Sequence, residues 1–396
     1  MKKAQGKQIL GNTAYTMGGM LLMNGVLQLA VYPLLNARMG QEELGSVLYI
    51  MGLVSILCPS VGQALNTSRL VVRRTCSVTN GDYDRLLLLF AGVGGVAAIL
   101  GSGSSVRGGL TMALTLLLVL MTAFRYYGDV EYRLNLDYRK YFIYYALISI
   151  GYLAGYGLFR LTGNWFLIFL LGEGAALIYV GITGSVFRRF WKKSAYFGTA
   201  AVRGFFLTLS YLITNTTLNM DRLALKHMVG NEAVTWYYVV SLIGKTMVLL
   251  VAPINTIVIS YLTRRERTLN KKEFTLAAGA GFLVTAVFFL CCQIGTPLFI
   301  QIFYPNLYDA VSTLVTVVNL TQVLALYSAF LFILVLTFTG ETWQLILQTS
   351  HLVIMAVLVV LFTMRGGIMG FSYAALAANA LRVAAVIILG YGKIRR

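Results

Sequence analysis

Ionisable side chains inside long apolar runs are the residues best placed to do chemistry in this chain, and they are few. Lys245 lies about ten residues into one such run, and Tyr238, Ser241 and Lys245 fall at i, i+3 and i+7, on one helical face. An ammonium at that depth implies either a wet cavity, where it would attract an anion, or a lysine stretching its stem to an interface. Arg382 sits nearer the end of the last apolar run, with Asn379 one turn before it, and the same two readings apply. Glu173, between Gly172 and Gly174, is either a partner for a basic group or a protonatable coupling site.

The clearest polar stripe is Thr208, Tyr211, Asn215, Asn219 and Arg222, at i, i+3, i+7, i+11 and i+14. Such a stripe faces water or another helix, not lipid. Asp221 and Arg222 are expected to end this helix, close enough to form an interfacial ion pair. Asn24, Gln28 and Tyr32 share a face of the first apolar run; Asn319 and Gln322, and Gln344, Gln348 and His351, lie in later ones. Neutral amides and hydroxyls at these depths suit sugar hydroxyls, phosphate oxygens or interhelical bonds. Gln63, Asn66, Arg69 and Arg73 run along the end of the second helix, as a landing zone for an anionic head group or as ordinary topogenic charge.

Soluble catalysis has little to work with. The chain has two histidines, His227 and His351, too few for a histidine metal cluster, and no phosphate-binding glycine loop follows a strand. Cys58, Cys76, Cys291 and Cys292 lack metal-type spacing and read as structural thiols. No catalytic residue, metal or cofactor is expected. A membrane enzyme of polysaccharide assembly would need a long outer loop or clustered His, Asp and Arg; the connection around 296–310 holds only one acid, Asp309, and no base.

The elements that must position these residues are membrane helices. Of 396 residues, 58% are hydrophobic and 12% charged, where a soluble domain carries about a quarter charged residues. Helices are expected at 11–35, 44–65, 86–103, 109–124, 141–159, 165–186, 205–221, 235–262, 274–295, 311–336, 342–363 and 367–391, about 20 apolar residues being needed to cross a bilayer. Lys and Arg crowd every second connection: 24 lie on the side of the termini and six on the other. That asymmetry implies that both termini are cytoplasmic. The net charge of +18 is therefore spread over loops and does not indicate nucleic acid.

The chain also resembles itself. Met39–Gly45 (MGQEELG) and Val229–Thr235 (VGNEAVT) each precede a helix carrying a proline, Pro59 or Pro253, and then a basic pair, Arg73-Arg74 or Arg264-Arg265. The offset of about 190 residues predicts two six-helix halves, 1–200 and 201–396, in parallel orientation, with a substrate site where halves of this kind meet.

The stretch NMDRLALKHMVGNEAVTWYYVVSLIGKTMVLLVAP (219–253) resembles the seventh-to-eighth-helix signature of oligosaccharide flippases, and YPLLNARMGQEELGSVLYIMGLV (32–54) resembles their matching N-terminal segment. These exporters belong to the multidrug/oligosaccharidyl-lipid/polysaccharide exporter superfamily. The resemblance implies an all-α protein of about 12 transmembrane helices in two pseudo-symmetric six-helix lobes around a central cavity. It implies a bacterial inner-membrane flippase for an oligosaccharide on undecaprenyl diphosphate, working by alternating access in cell-surface polysaccharide biosynthesis, with a polymerase and glycosyltransferases as further partners. Lys245, then Arg382, are the positions it marks for the lipid diphosphate. Two departures stand out: no arginine lies inside the first helix, as the lipid II branch would have, and no acid lies deep in it, as many drug extruders have. An ion-coupled multidrug extruder on the same architecture is the alternative; Glu173 is the one intramembrane carboxylate available to it.

Overall fold

In the computed structural model the chain is all-helical among the described residues, which are 2–73, 75–263, 270–336, 339 and 341–393. Side chains are described for these except 2–10, 104, 248–263, 336, 341 and 344–345. Arg74, Arg264 and Arg265 of the repeated basic pairs lie outside the described residues, as do the side chains of Pro253 and Gln344.

Among the described residues, twelve long helical segments follow one another. They are α1 (2–39), α2 (41–72), α3 (Asn80–Ser102), α4 (Gly109–Gly128), α5 (Tyr138–Thr162), α6 (Phe166–Thr183), α7 (Phe197–Leu218), α8 (Asn231–Thr263), α9 (Lys271–Phe303), α10 (Val315–Leu336), α11 (341–366) and α12 (368–393). Only helices satisfy every backbone group internally over such apolar runs. Nine stretches of membrane length and hydropathy occur among the described residues, two of them divided by a glycine. Gly40 (φ 82) separates α1 from α2, and Gly367 (φ 55) separates α11 from α12. Gly230 (φ 135) stands just before α8 as Gly40 stands before α2, so both repeated sequence segments turn at a glycine in the positive-φ region.

The helices run longer than their apolar cores. Polar first turns extend them: Thr79 and Asp82 form a capping box on α3, and Asn270 and Glu273 do so on α9. α4 continues to Gly128, past the expected end at 124. α7 ends at Leu218, and Asp221 and Arg222 lie on a separate short helix, Met220–Met228. The expected 205–221 helix is thus corrected at both ends. Asn219 caps α7 with a non-helical backbone, its N–H reaching the carbonyls of Asn215 and Thr216.

The chain forms two compact units, residues 1–40 with 46–220, and residues 41–45 with 221–396. In the first, α5 and α6 lie backbone to backbone. A methyl group on Gly151 would stand 2.6 Å from the Gly172 Cα, and one on Gly155 would stand 2.5 Å from the Ile168 Cα. Small residues four apart permit this approach, which dispersion then rewards. In the second, Phe274, Tyr327, Leu331, Leu334, Val335 and Val386 form an apolar cluster. Large apolar side chains such as Leu89, Val93, Leu161, Leu276 and Leu290 are exposed, the arrangement expected of surfaces facing lipid.

Candidate functional site

The first unit holds a buried ionic network that the sequence only hints at. The Arg125 Nε donates to Glu173 Oε2 at 2.8 Å, with side chains 4% and 2% exposed. The Tyr152 hydroxyl donates to Glu173 Oε1 at 3.1 Å, and Tyr144 donates to the Arg125 carbonyl at 2.9 Å. One turn on, Asp129 accepts from Asn66 Nδ2 at 2.5 Å and from the Tyr145 hydroxyl at 3.0 Å. Arg133 Nη1 reaches Asn66 Oδ1 at 3.4 Å. Arg125, Asp129 and Arg133 recur every four residues, which is the available signal; a helix ending at 124 stops one residue short of it. Of the intramembrane acid singled out, Glu173, the structure shows an arginine partner and a tyrosine donor.

At the neighbouring helix ends, Arg69 donates to the Tyr127 hydroxyl at 2.6 Å and to Asn80 Oδ1 at 2.5 Å. Its guanidinium stands 5.9 Å from both the Tyr83 and Tyr127 ring centroids.

The polar stripe of α7 divides. Tyr211 lies 3.3 Å from Thr67 Oγ1, and Asn215 Nδ2 donates to Ser60 Oγ at 3.0 Å, so both meet α2. Asn219 Nδ2 turns back to the Asn215 carbonyl at 3.0 Å. Arg222, beyond the end of the helix, does not continue the stripe. On α1, Asn24 Nδ2 donates to its own helix at the Met20 carbonyl, 2.8 Å away. Gln28 lies in a π-helical turn, Val26–Val31, and is half-buried.

Along the N-terminal half of the same α7 lies an open surface groove of about 820 Å³, lined by Gly198, Thr199, Val202, Arg203, Phe206 and Leu207, most of them exposed. Arg203 is its one ionisable lining group among the described residues. A helix beginning at 205 leaves this arginine in a connecting loop; α7 instead begins at Phe197 and carries it beside the groove.

The second unit gathers a different set. Lys245 Nζ donates to Asp221 Oδ2 at 2.6 Å, with side chains 32% and 8% exposed. The expected pairing of Asp221 with its neighbour Arg222 is therefore replaced by a pairing with Lys245. Arg222 instead stands 5.1 Å from the Tyr238 ring centroid, a cation–π distance. Ser241 is buried and donates to the Tyr238 carbonyl at 3.1 Å, within its own helix. Lys226, on the short helix outside the spans, donates to Asn231 Oδ1. Partial burial pulls its ammonium below the ordinary value, against the pull of Glu42. Gln41 ties residues 41–45 to this unit, accepting from the Trp236 indole at 2.9 Å and donating to Glu232 at 2.8 Å.

Arg382 is near the buried His351. Asn379 donates to the Thr321 carbonyl at 3.4 Å. Asn319 is fully buried, donating to the Cys292 carbonyl at 3.1 Å and accepting from Thr296 at 3.1 Å, an interhelical tie rather than an open contact. No group of three or more metal-ligating side chains occurs among the described residues.

The sequence matches no family model and no curated protein. Solved structures match along nearly the whole chain. The lipid II flippase MurJ, in an inward closed conformation, superposes with a TM-score of 0.69 at 14% identity, over 96% of this chain and 87% of that one. An inward-facing multidrug resistance MATE family transporter of the MOP superfamily gives 0.60 at 15% identity, over 97% and 94%. A mutant form of the Vibrio cholerae MATE transporter VcmN gives 0.58 at 13% identity, over 98% and 97%. The chain therefore shares the all-helical, polytopic membrane fold of these solved structures.

Proposed function

We propose that this protein is a flippase that carries a polyprenyl-diphosphate-linked oligosaccharide from the inner to the outer leaflet by alternating access. The observation that carries this reading is the charge of the open α7 groove: a cation, Arg203, beside apolar Val202, Phe206 and Leu207. A lipid diphosphate offers the matching halves, an anionic head and an apolar tail. Lys245 and Arg222 in the second unit add cations to the same account. A sugar cannot cross hydrocarbon unaided, because its hydroxyls would lose their hydrogen bonds. An interior-negative potential favours outward anion movement by about 2.3 kcal/mol per charge per 100 mV.

The same reading assigns the protein to a bacterial plasma membrane with both termini cytoplasmic, on the strength of the 24-to-six Lys and Arg asymmetry. It also takes 1–200 and 201–396 as repeated lobes. Arg382, Tyr211, Asn215, Asn219, Asn24 and Gln28 would serve the sugar or its phosphates in another conformational state, since most of them now bond within their own unit.

A second reading, an ion-coupled extruder, draws on the carboxylates of the first unit. Glu173 and Asp129 are both buried among tyrosine donors.

The test uses the purified protein in proteoliposomes loaded with a fluorescent undecaprenyl-diphosphate sugar, scored by access of a membrane-impermeant lectin. Wild type should translocate it, and Arg203→Gln should slow it at least about tenfold, the equivalent of losing one charge-assisted contact. Transport of a cationic dye driven by a proton or sodium gradient, without sugar-lipid movement, would overturn the flippase in favour of the extruder.

A further inference from the structure

The connection between α6 and α7 is a built element. Residues 185–194 (SVFRRFWKKS) are strapped onto the first turn of α3 through their own backbone. Asn80 Nδ2 donates to the Ser185 carbonyl at 2.7 Å and the Arg188 carbonyl at 3.1 Å. The Thr79 hydroxyl donates to the Lys192 carbonyl at 2.7 Å, Arg85 donates to the Trp191 carbonyl, and the Ser194 N–H donates to Asp82 Oδ1 at 2.8 Å. A methyl group on Gly81 would meet the Phe190 carbonyl at 2.5 Å and the Lys192 nitrogen at 2.6 Å, so the strap needs a glycine beneath it.

Its two faces differ. Inward, Val186 is buried, Phe190 stacks on Phe124 at 6.4 Å with rings 2° from parallel, and Phe187 lies 5.6 Å from Phe124. Outward, Arg188, Arg189, Lys192 and Lys193 are all exposed, and Trp191 is 68% exposed. Arg189 holds a left-handed backbone (φ 59), uncommon for a non-glycine residue. No acidic residue occurs from 174 to 220, and the carboxylate that touches the strap, Asp82, is engaged by the Ser194 N–H and by Thr79.

We propose that this strap is a docking surface for anionic phospholipid of the adjoining leaflet. Four cations on a pinned backbone present a field to lipid phosphates, and an exposed indole beside them sits where Trp is enriched, at the membrane–water boundary. Because the backbone is already ordered, binding spends little conformational entropy. This proposal does not depend on which substrate crosses the membrane.

The experiment compares spin-labelled phosphatidylglycerol with spin-labelled phosphatidylcholine as the boundary lipid of the full chain in phosphatidylcholine nanodiscs, by electron paramagnetic resonance. Wild type should immobilise the glycerol lipid several-fold more strongly, with the preference falling as salt is raised. The quadruple variant R188Q/R189Q/K192Q/K193Q should bring the ratio near one. Gly81→Val keeps every charge but lifts the strap from α3, and should remove most of the preference in protein that still melts cooperatively. Full selectivity in the quadruple variant would overturn the site. Full selectivity in Gly81→Val would show that net charge alone attracts the lipid, and would overturn the built surface. A strap that instead captures an acidic peptide, with equal affinity for the two lipids, would also overturn it.

Discussion

The two units treat their buried ion pairs in opposite ways. In the first, Arg125 and Glu173 are almost fully enclosed, and Tyr152 supplies a further donor to the carboxylate. In the second, Asp221 is enclosed but its partner Lys245 is a third exposed. An enclosed pair must survive as a pair, because either charge left alone would be stranded in a medium that does not solvate it. A half-open pair can exchange partners, since an incoming anion can take the ammonium while water reaches the site. The first arrangement braces helices; the second leaves an ammonium that water can reach.

The largest expected effect breaks the enclosed pair. Glu173→Gln or Arg125→Met alone should destabilise by about 3–5 kcal/mol, read as lost folded yield or a lowered melting temperature in detergent. The double variant Arg125→Met with Glu173→Leu should recover most of that loss, because no charge is stranded. Equal damage in the double variant would show that the brace depends on hydrogen-bond geometry and not on charge.

Next comes the half-open pair, where the effect should fall on transport. Lys245→Ala with Asp221→Asn should cut sugar-lipid translocation at least about tenfold while the protein stays folded in the membrane. The double variant is the informative one, since Lys245→Ala by itself strands Asp221. Retained export would remove Lys245 from the substrate path. Inorganic pyrophosphate should raise the melting temperature of wild type by a degree or more, through binding to the folded state, and leave the double variant unmoved.

Smaller effects separate structural amides from exchangeable ones. Asn319→Ala should cost about 1–3 kcal/mol, because it leaves the buried Thr296 hydroxyl without its acceptor. Asn215→Ala removes a half-buried bond to Ser60 and should cost only about 0.5–1.5 kcal/mol in melting experiments. A reversal of that order would mean that α7 meets α2 more rigidly than its exposure suggests.

Much of the fold is legible from residue order. Apolar runs of membrane length mark the helices, and α3 and α4 pack together where Gly95 lets Leu116 approach. Helix ends are less legible. Capped polar first turns carry α3 and α9 beyond their apolar stretches, and the earlier start of α7 at Phe197 moves Arg203 from a loop onto a helix face beside an open groove. The site is legible mainly as separate residues. Periodicity places Tyr238, Ser241 and Lys245 on one face, but it contains no information on which distant acid meets that face.

Sequence alone determined the class of solvent this protein folds in, the course of its long apolar helices, and the repeated segment before α2 and α8. These follow from local quantities: hydropathy summed over a helix length, and residue types compared at a fixed offset. Tertiary structure alone decided that Glu173 belongs to Arg125, that Asp221 belongs to Lys245 and not to Arg222, and that Gly81 carries a basic strap. Each is a contact between residues at least 24 positions apart. Such pairings depend on how helices are oriented against one another, which no local periodicity encodes.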